Sequence, residues 1–527
     1  MVFHPFKRKT RNNKSENIRK RATKHISTKT NTKKPTKIVS TMKFTFISPA
    51  AFRENLHERS EPVCSWPPLG MLYLATLLER EGYEVSLLDQ AAKGYSTDET
   101  VKWVKKENPD VVGFSTLASS GRTAALTAGE VKKEMPEAKI VFGNYYATFN
   151  AEHVMRKYPW VDIIVQSEGE ATTLELAKSM KNGEKLKNIS GLTFREKGKI
   201  VSTPERPLIK DVDALPFPNR ELLDVDYHSE VAGAITAPEK FTTVLSSRGC
   251  PFRCRFCGCQ RFARGVWRAR SAKNTVEELR FISSLGYKQF LFVDDNFTLK
   301  PKRVFEICRG IKKEKIDMDW TCEGRVDSCS YEMMREMVKA GCKIIYFGIE
   351  SANQRILDYY NKRITPLQSE RAVKNARKAG MNAIVASFIV GAPNETREEI
   401  ENTLRFAREI PIDFPQFNIL GVFPGMDIWE ELKVKGVLKE EECWEMGAWA
   451  SEMSTDTLPP EEIRLLIEKH FNAFLMRPEY MLSEALRTVK SRFRLGIILR
   501  NLNRLNSIKA NVASVAKLRT KQKSYCT

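Results

Sequence analysis

Residues 242–259 read TTVLSSRGCPFRCRFCGC, a β-rich run opening into a loop that holds Cys250, Cys254, Cys257 and Cys259. The first three stand at spacings x3 and x2. Three thiolates so placed on one loop can converge on three irons of a cubane and leave the fourth iron without a protein ligand. An open iron can bind a substrate or cofactor, whereas a four-thiolate cluster is usually limited to electron transfer. Zinc is the competing reading. It favours four ligands in paired Cys-x-x-Cys or Cys/His spacing, but no second pair follows and the chain has only 6 His. Cys259 could act as a fourth ligand, although a Cys-x-Cys pair rarely spans two corners of one cluster. The spacing favours the open cubane over zinc.

Downstream, strand-like runs alternate with helical patterns: TTVLSSR, KQFLFVDDN, DWTCEGR, KIIYFGIES, NAIVASFIVG and QFNILGVFP. Six βα units make an incomplete version of the eight-unit barrel, whose chemistry gathers at the C-terminal ends of the strands. Polar residues lie there: Asp294, Asp295, Asn296, Glu323, Arg325, Glu350, Asn394 and Glu395. Upstream, KFTFIS (43–48), YEVSLLD (83–89), DVVGFST (110–116), KIVFG (139–143) and VDIIVQ (161–166) alternate with amphipathic segments. Continuous apolar strands between helices predict a parallel sheet covered on both faces. That lobe is α/β, doubly wound and flavodoxin- or Rossmann-like, and its ligands belong outside the strand ends, after Thr116, Gly143 and Gln166. The domain plan is a disordered basic tail (1–41), the doubly wound lobe (42–188), a hairpin and Pro-rich linker (189–240) and the partial barrel (241–425). A helical extension (426–484) and a basic helical tail (485–527) follow.

The net charge of +21 sits at the two ends. Residues 1–41 hold 13 Lys/Arg against Glu16 alone, and residues 485–527 hold 11 Lys/Arg and no acid, so the body is nearly neutral. Nucleic-acid binders spread charge over a folded face, so no nucleic-acid partner is expected. No apolar run suits a membrane span, and the basic N-terminus lacks a secretory h-region. A thiol-rich chain without such a signal is expected in the cytoplasm. Met42 opens MKFTFIS and reads as an alternative start. Cys64, Cys308, Cys322, Cys329, Cys342, Cys443 and Cys526 are scattered, as buried apolar thiols are.

Cys-x3-Cys-x2-Cys with an aromatic before the last cysteine, opening a (βα)6 barrel, resembles the radical S-adenosylmethionine (radical SAM) superfamily across residues 241–424. The first lobe resembles the cobalamin-binding (B12-binding) domain that precedes this barrel in the class B enzymes. The residues carrying that resemblance are Pro67-Pro68-Leu69-Gly70, Asp89, Asp110-Val111-Val112-Gly113, Gly143 and Glu168-Gly169-Glu170. The resemblance implies that Cys250, Cys254 and Cys257 bind a 4Fe–4S cluster. S-adenosylmethionine would then chelate the open iron through its amino and carboxylate groups. It places Phe256 near adenine, Asp294-Asp295-Asn296 at the methionine amine, and Glu323, Arg325 and Glu350 at ribose and carboxylate. Gly391 would let the backbone approach adenine; Glu323 and Asn296 suit helix capping equally well. For cobalamin it nominates Ser115, Thr116, Gly143, Asn144 and Glu168. The histidine motif Asp-x-His-x-x-Gly is replaced by Ser48-Pro49-Ala50-Ala51-Phe52-Arg53, so cobalamin is expected base-off without a histidine ligand. Gly143-Asn144-Tyr145-Tyr146 replaces Gly-Gly-Pro-His, with tyrosines that either cover the corrin or block it. A vestigial docking lobe is the alternative.

The implied reaction is methylation of an unactivated carbon: a 5′-deoxyadenosyl radical abstracts hydrogen, and methylcobalamin supplies the methyl group. Ring formation or C–C bond formation on a tetrapyrrole or lipid is the runner-up, and a cobalamin-binding sensor the non-enzymatic alternative. Methylthiotransferases carry a cysteine triad in the first lobe; here that region has only Cys64. A small-molecule or lipid substrate and an electron donor such as ferredoxin or flavodoxin are the expected partners. LRTVKSRFRLGIILRNLNRL (486–505) sets Leu486, Val489, Phe493, Ile497, Leu502 and Leu505 among Arg487, Lys490, Arg494, Arg500 and Arg504. Such a helix either lies peripherally on an anionic membrane or packs on its own barrel. Trp429, Trp444 and Trp449 suit a substrate pocket or plain packing.

Overall fold

Phe44, Thr45, Phe46 and Ile47 are buried in succession along β1 (Lys43–Ser48). A strand covered on both its odd and its even positions needs a layer on each face, as a parallel sheet supplies. The computed structural model describes residues 42–52, 57–58, 66–231, 234–237, 240–438 and 457–501; the tail 1–41, Cys64, Cys443, Cys526, Trp444, Trp449 and all that follows Asn501 lie outside them. β1 is joined by β2 (Glu84–Asp89), β3 (Val111–Ser115), β4 (Lys139–Gly143) and β5 (Ile163–Val165). They run parallel in the order β2-β1-β3-β4-β5. The chain reverses its winding between β1 and β3, so a crevice opens beyond their ends. Helices Leu69–Arg80, Thr97–Glu107, Gly121–Glu134 and Glu170–Asn182 follow strands of this lobe. The second starts at a capping box of Ser96 and Glu99, which satisfies its free N–H groups.

The hairpin assigned to the linker belongs instead to this sheet. β6 (Leu192–Glu196) and β7 (Lys199–Ser202) add antiparallel to β5, giving seven strands. The three-residue β5 would otherwise leave an open edge, and Leu192 and Phe194 bury their side chains in the core of the lobe. The connector beyond it is tied to the first lobe. Asn219 N–H donates to Thr76 Oγ1 (2.7 Å), and Tyr227 OH donates to Asp89 Oδ2 (2.8 Å). A short ribbon of β8 (Ser229–Val231) and β9 (Ala234–Ala237) leads into the second lobe.

There, β10 (Phe241–Val244) is followed by the small antiparallel pair β11 (Ser247–Arg248) and β12 (Arg268–Ala269). β13 (Gln289–Phe292), β14 (Asp319–Gly324), β15 (Cys342–Glu350), β16 (Ala383–Val390) and β17 (Phe414–Ile419) complete the barrel. The order β10-β13-β14-β15-β16-β17 is parallel throughout. All six expected strands are present, in an open rather than closed barrel. Helices Asp427–Val434, Pro460–Leu475, Pro478–Val489 and Arg492–Asn501 follow. Among the described residues no helix is long and apolar enough to cross a membrane.

Glu278, fully buried on the helix Ala272–Ser284, pairs with Arg220 of the connector (2.7 Å) and with Arg270. These guanidiniums hold its carboxyl below the usual range despite burial. Removing the acid strands two buried cations, so Glu278→Ala is expected to cost about 3–5 kcal/mol in a denaturant titration. Glu336→Ala, which removes a solvent-screened pair with Lys312 and Lys339, should change it by about 0.5 kcal/mol or less.

Candidate active site

The cysteine loop leaves the barrel at Gly249 and is closed at its base by the β11–β12 pair. Gly249 has φ of +81°, and a Cβ there would lie 2.2 Å from the Val266 carbonyl oxygen, so no other residue fits. Its N–H donates to Asp295 Oδ2 (2.8 Å). Across the loop, Arg255 N–H donates to the Tyr360 carbonyl (2.9 Å), and Asn361 Nδ2 donates to the Arg253 carbonyl (2.7 Å). Cys254 and Cys259 are buried, and Cys250 and Cys257 half-buried. Cys257 lies within electrostatic reach of both Cys250 and Cys254. Burial pushes the Cys250 and Cys254 thiols up, while a hydrogen bond with Cys259 lowers Cys257. Arg325 stands over Phe252 (3.6 Å to the ring centroid), with Nη1 4.0 Å from Cys254 Sγ. Among the described residues no three Cys, His, Asp or Glu side chains converge on one metal-ion position. Three thiols on one loop, with Cys257 in reach of the other two, are the donor set that a cubane with one open iron would take.

At the barrel mouth beside this loop lies a cavity of about 410 Å³. Phe256, Asp295, Asn296, Glu323, Arg325 and Glu350 all line it. Phe256 packs edge-on against Tyr360 (5.1 Å). The Asn296 Nδ2 group is buried without a hydrogen-bond partner, a donor held ready for an acceptor. Arg325 is held bidentate by Asp327 (3.0 Å each) and donates to the Lys362 carbonyl (2.8 Å). Glu350 pairs with Lys362 at 2.6 Å, both side chains buried. Glu350 has φ of +66°, and a Cβ on neighbouring Gly348 would meet its carboxylate oxygen at 2.4 Å. Glu323 lines the cavity as well. Burial, followed by the charges of Asp295 and Glu350, raises its carboxyl to about 7, against a lowering effect of Lys362. Lys362, Tyr346, Ser387, Gln416 and Asn418 also line the cavity and were not singled out from the sequence.

Two expected contacts fall elsewhere. Asp294 turns into the wall, where it accepts from Ser246 N–H (2.7 Å), Ser246 Oγ (2.6 Å) and Ser247 Oγ (2.5 Å). Gly391 gives its N–H to Glu395 Oε2 (2.6 Å) and faces Ile419 and Ile463 rather than the cavity. The polar rim residue Glu395 is thus occupied with backbone amides.

Between the lobes a second cavity of about 960 Å³ spans the crevice beyond β1 and β3. Ser115, Gly143, Asn144 and Glu168 line it; so does Asp295, which therefore borders both cavities. Asn144 Nδ2 donates to Ser115 Oγ (2.9 Å). Thr116 is instead a buried brace, donating to the Gly143 carbonyl (2.7 Å) and accepting from Ala147 N–H (3.1 Å). Glu168 has its carboxylate fully engaged, by Arg248 (3.1 Å), Arg268 (2.8 Å) and Ile209 N–H (2.7 Å). With Glu170, which also pairs with Arg248, it clamps lobe to barrel. Tyr146 packs in the core of the first lobe, whereas Tyr145 lines the crevice and stacks on Phe262 of the cysteine loop (4.1 Å). Among the described lining residues there is no histidine; Gly70 has open space where a Cβ would stand. Trp429 is packed among Ile356, Tyr360 and Leu420. A broad, largely apolar-walled crevice of this size suits a corrin-sized ligand.

The radical SAM superfamily profile matches residues 244–407 and the B12 binding domain profile residues 61–177. An uncharacterized methyltransferase of Pyrococcus horikoshii is 38% identical over 420 residues, 79% of this chain and 90% of the relative. The anaerobic magnesium-protoporphyrin IX monomethyl ester cyclase of Cereibacter sphaeroides is 29% identical over 406 residues, 74% of this chain and 64% of that protein. In fold, the chain is similar to the radical S-adenosylmethionine methyltransferase TsrM from Kitasatospora setae, solved with cobalamin and a 4Fe–4S cluster bound. The TM-score is 0.60 at 17% identity, covering 75% of each chain.

Glu168→Ala should leave Arg248 and Arg268 short of a partner and raise hydrogen exchange in β11 and β12, with the sheets themselves unchanged. Glu323 holds a proton in the folded state that the unfolded chain releases near 4.5. The folded state binds more protons between that value and about 7, so this group makes stability fall as pH rises through the window. Glu323→Gln should therefore lose less thermal stability between about pH 5 and pH 8 than the parent.

Proposed function

The chain belongs to the radical SAM superfamily, with a B12-binding domain ahead of the radical SAM core, and on that premise we propose that it is a cobalamin-dependent methyltransferase acting on an unactivated carbon. The observation that carries the reading is Asp295, a residue on the walls of both cavities. A nucleoside-sized polar cavity beside the cysteine loop thus adjoins a corrin-sized crevice. The relative designated a methyltransferase supports the same reading along most of the chain.

Cys250, Cys254 and Cys257 would hold the cluster, with Asp295 fixing the loop through Gly249. Asn296, Glu323, Glu350 and Phe256 would receive S-adenosylmethionine; Ser115, Gly143 and Asn144 would face cobalamin. When bound, these groups supply one-electron cleavage of S-adenosylmethionine and a transferable methyl group. What the chain itself contributes is orientation and exclusion of water. The unpartnered Asn296 Nδ2 would donate to the methionine carboxylate or a hydroxyl. The Glu350–Lys362 pair fixes one wall, since neither buried charge can turn away without losing the other. Phe256 and Tyr360 exclude solvent from one side. Glu323 can release or hold a proton near neutrality, because burial and two neighbouring acids oppose its ionisation. A small-molecule or lipid substrate and a ferredoxin- or flavodoxin-type electron donor complete the proposal.

A second reading, oxidative ring formation, draws on the cyclase relative. Product mass separates the two: methylation adds one CH2, whereas ring closure removes two hydrogens. After anaerobic reconstitution, the parent and Cys259→Ala should incorporate iron equally and cleave S-adenosylmethionine. Cys250→Ala, Cys254→Ala and Cys257→Ala should each lose both properties. Full iron incorporation in any of the three, or its loss in Cys259→Ala alone, would contradict the assignment. An intact cluster without S-adenosylmethionine cleavage would favour a cobalamin-binding sensor.

A further inference from the structure

The helices Pro478–Val489 and Arg492–Asn501 close the floor of the barrel. Arg487 and Arg494 converge on buried Asp413, which precedes β17, at 2.6 and 2.9 Å. Asn382, which precedes β16, donates through Nδ2 to Ser491 Oγ (2.8 Å). Asn501 exchanges hydrogen bonds with the Ile235 backbone (3.0 Å each). Asp413 and Asn382 lie where barrel strands begin and Ile235 in the ribbon ahead of β10, whereas the cysteine loop and its cavity lie where the strands end. The 16-residue helix Pro460–Leu475 sets Ile463 against Gly391 near one end and Phe474 against Tyr480 near the other, a separation of about 16 Å.

The single basic helix expected over 486–505 is broken at Lys490-Ser491, and the break resets its faces. Phe493 and Ile497 turn partly inward. Leu482, Leu486 and Val489 (63%, 53% and 82% exposed) form one open stripe, and Leu495, Ile498 and Leu499 (42%, 45% and 59%) another. Both follow helical spacing. Lys490 and Arg492, at the turn, are exposed and have no ion pair with a described residue. The only acids on these two helices are Glu479 and Glu484, and Glu484 is occupied by Arg487 and Arg494.

An apolar stripe of this extent marks an interaction surface, and the charge selects its occupant. Residues 485–527 carry 11 Lys/Arg and no acid, so a second copy of this chain would bring like charge against like. The acidic stretch 439–456 joins the described chain at the far end of the barrel. There Leu438 packs beside Trp429, and Thr457 donates to the Glu395 carbonyl (2.6 Å). A bilayer rich in anionic headgroups satisfies both the apolar stripe and the cations. We propose that the paired C-terminal helices are a peripheral anchor for an anionic lipid surface, set at the end of the barrel opposite the cysteine loop. Attachment is thereby separated from substrate entry, and a membrane-attached enzyme of this shape need not act on a lipid. The inference is independent of the cofactor chemistry.

Co-sedimentation of the full chain with vesicles tests it. Binding to phosphatidylcholine vesicles containing phosphatidylglycerol is expected, weaker by about tenfold or more for phosphatidylcholine alone. A similar loss is expected for Leu486→Glu/Val489→Glu/Leu499→Glu and for Lys490→Glu/Arg492→Glu, with S-adenosylmethionine cleavage retained. Should the apolar triple variant misfold, the charge variant carries the decision. Absence of binding by the parent, undiminished binding by the folded variants, or a parent dimer that the substitutions dissociate would each overturn the proposal.

Discussion

The left-handed turn at Gly249, locked by the Asp295 carboxylate, is the constraint on which the rest of the site depends. It throws the chain out of the first barrel strand into a cysteine loop whose base is then closed by β11 and β12. Any side chain at this position would collide with the Val266 carbonyl, so the loop has no freedom to relax at its root. Preorganisation of this kind lowers the ordering cost of bringing three thiolates to one cluster. Asp295 serves twice, bracing the loop with one carboxylate oxygen and facing both cavities.

Around that turn, charge holds the lobes in register. Glu168 and Glu170 come from the doubly wound lobe, Arg248 and Arg268 from the ribbon under the cysteine loop. Because these side chains are largely buried, the pairs are poorly screened and sliding one lobe along the other would strand their charges. Tyr145 on Phe262 adds an aromatic contact across the same seam. The distance between corrin crevice and cysteine loop is thus set by the folded chain itself, as a transfer reaction between two bound groups requires.

Much of this was legible in the residues, and the failures have identifiable causes. The strands announced themselves because buried parallel strands are continuously apolar, as Phe44–Ile47 are. The cysteine spacing announced itself because few chemistries need it. Asp294 and Asp295 could not be told apart, since adjacent residues at a strand end face opposite ways: one caps serines in the wall, the other lines both cavities. Glu168 lines the crevice after β5, and its part in clamping the lobes was hidden because its partners lie 80 and 100 residues away in sequence. Lys362 sits in a turn without periodicity, and only its pairing with Glu350 reveals it. The hairpin at 192–202 read as linker because the short β5 gives no sign in sequence that it needs a neighbour.

An open iron corner is the most exposed element of this account, and it can be observed without knowing the substrate. Electron–nuclear double resonance on the reduced, reconstituted protein, with S-adenosylmethionine labelled by 17O in its carboxylate and 15N in its amine, reports directly on what sits there. Hyperfine coupling from both labels is expected in the parent protein. A cluster that shows neither coupling, with its fourth corner held by a protein side chain, would contradict it.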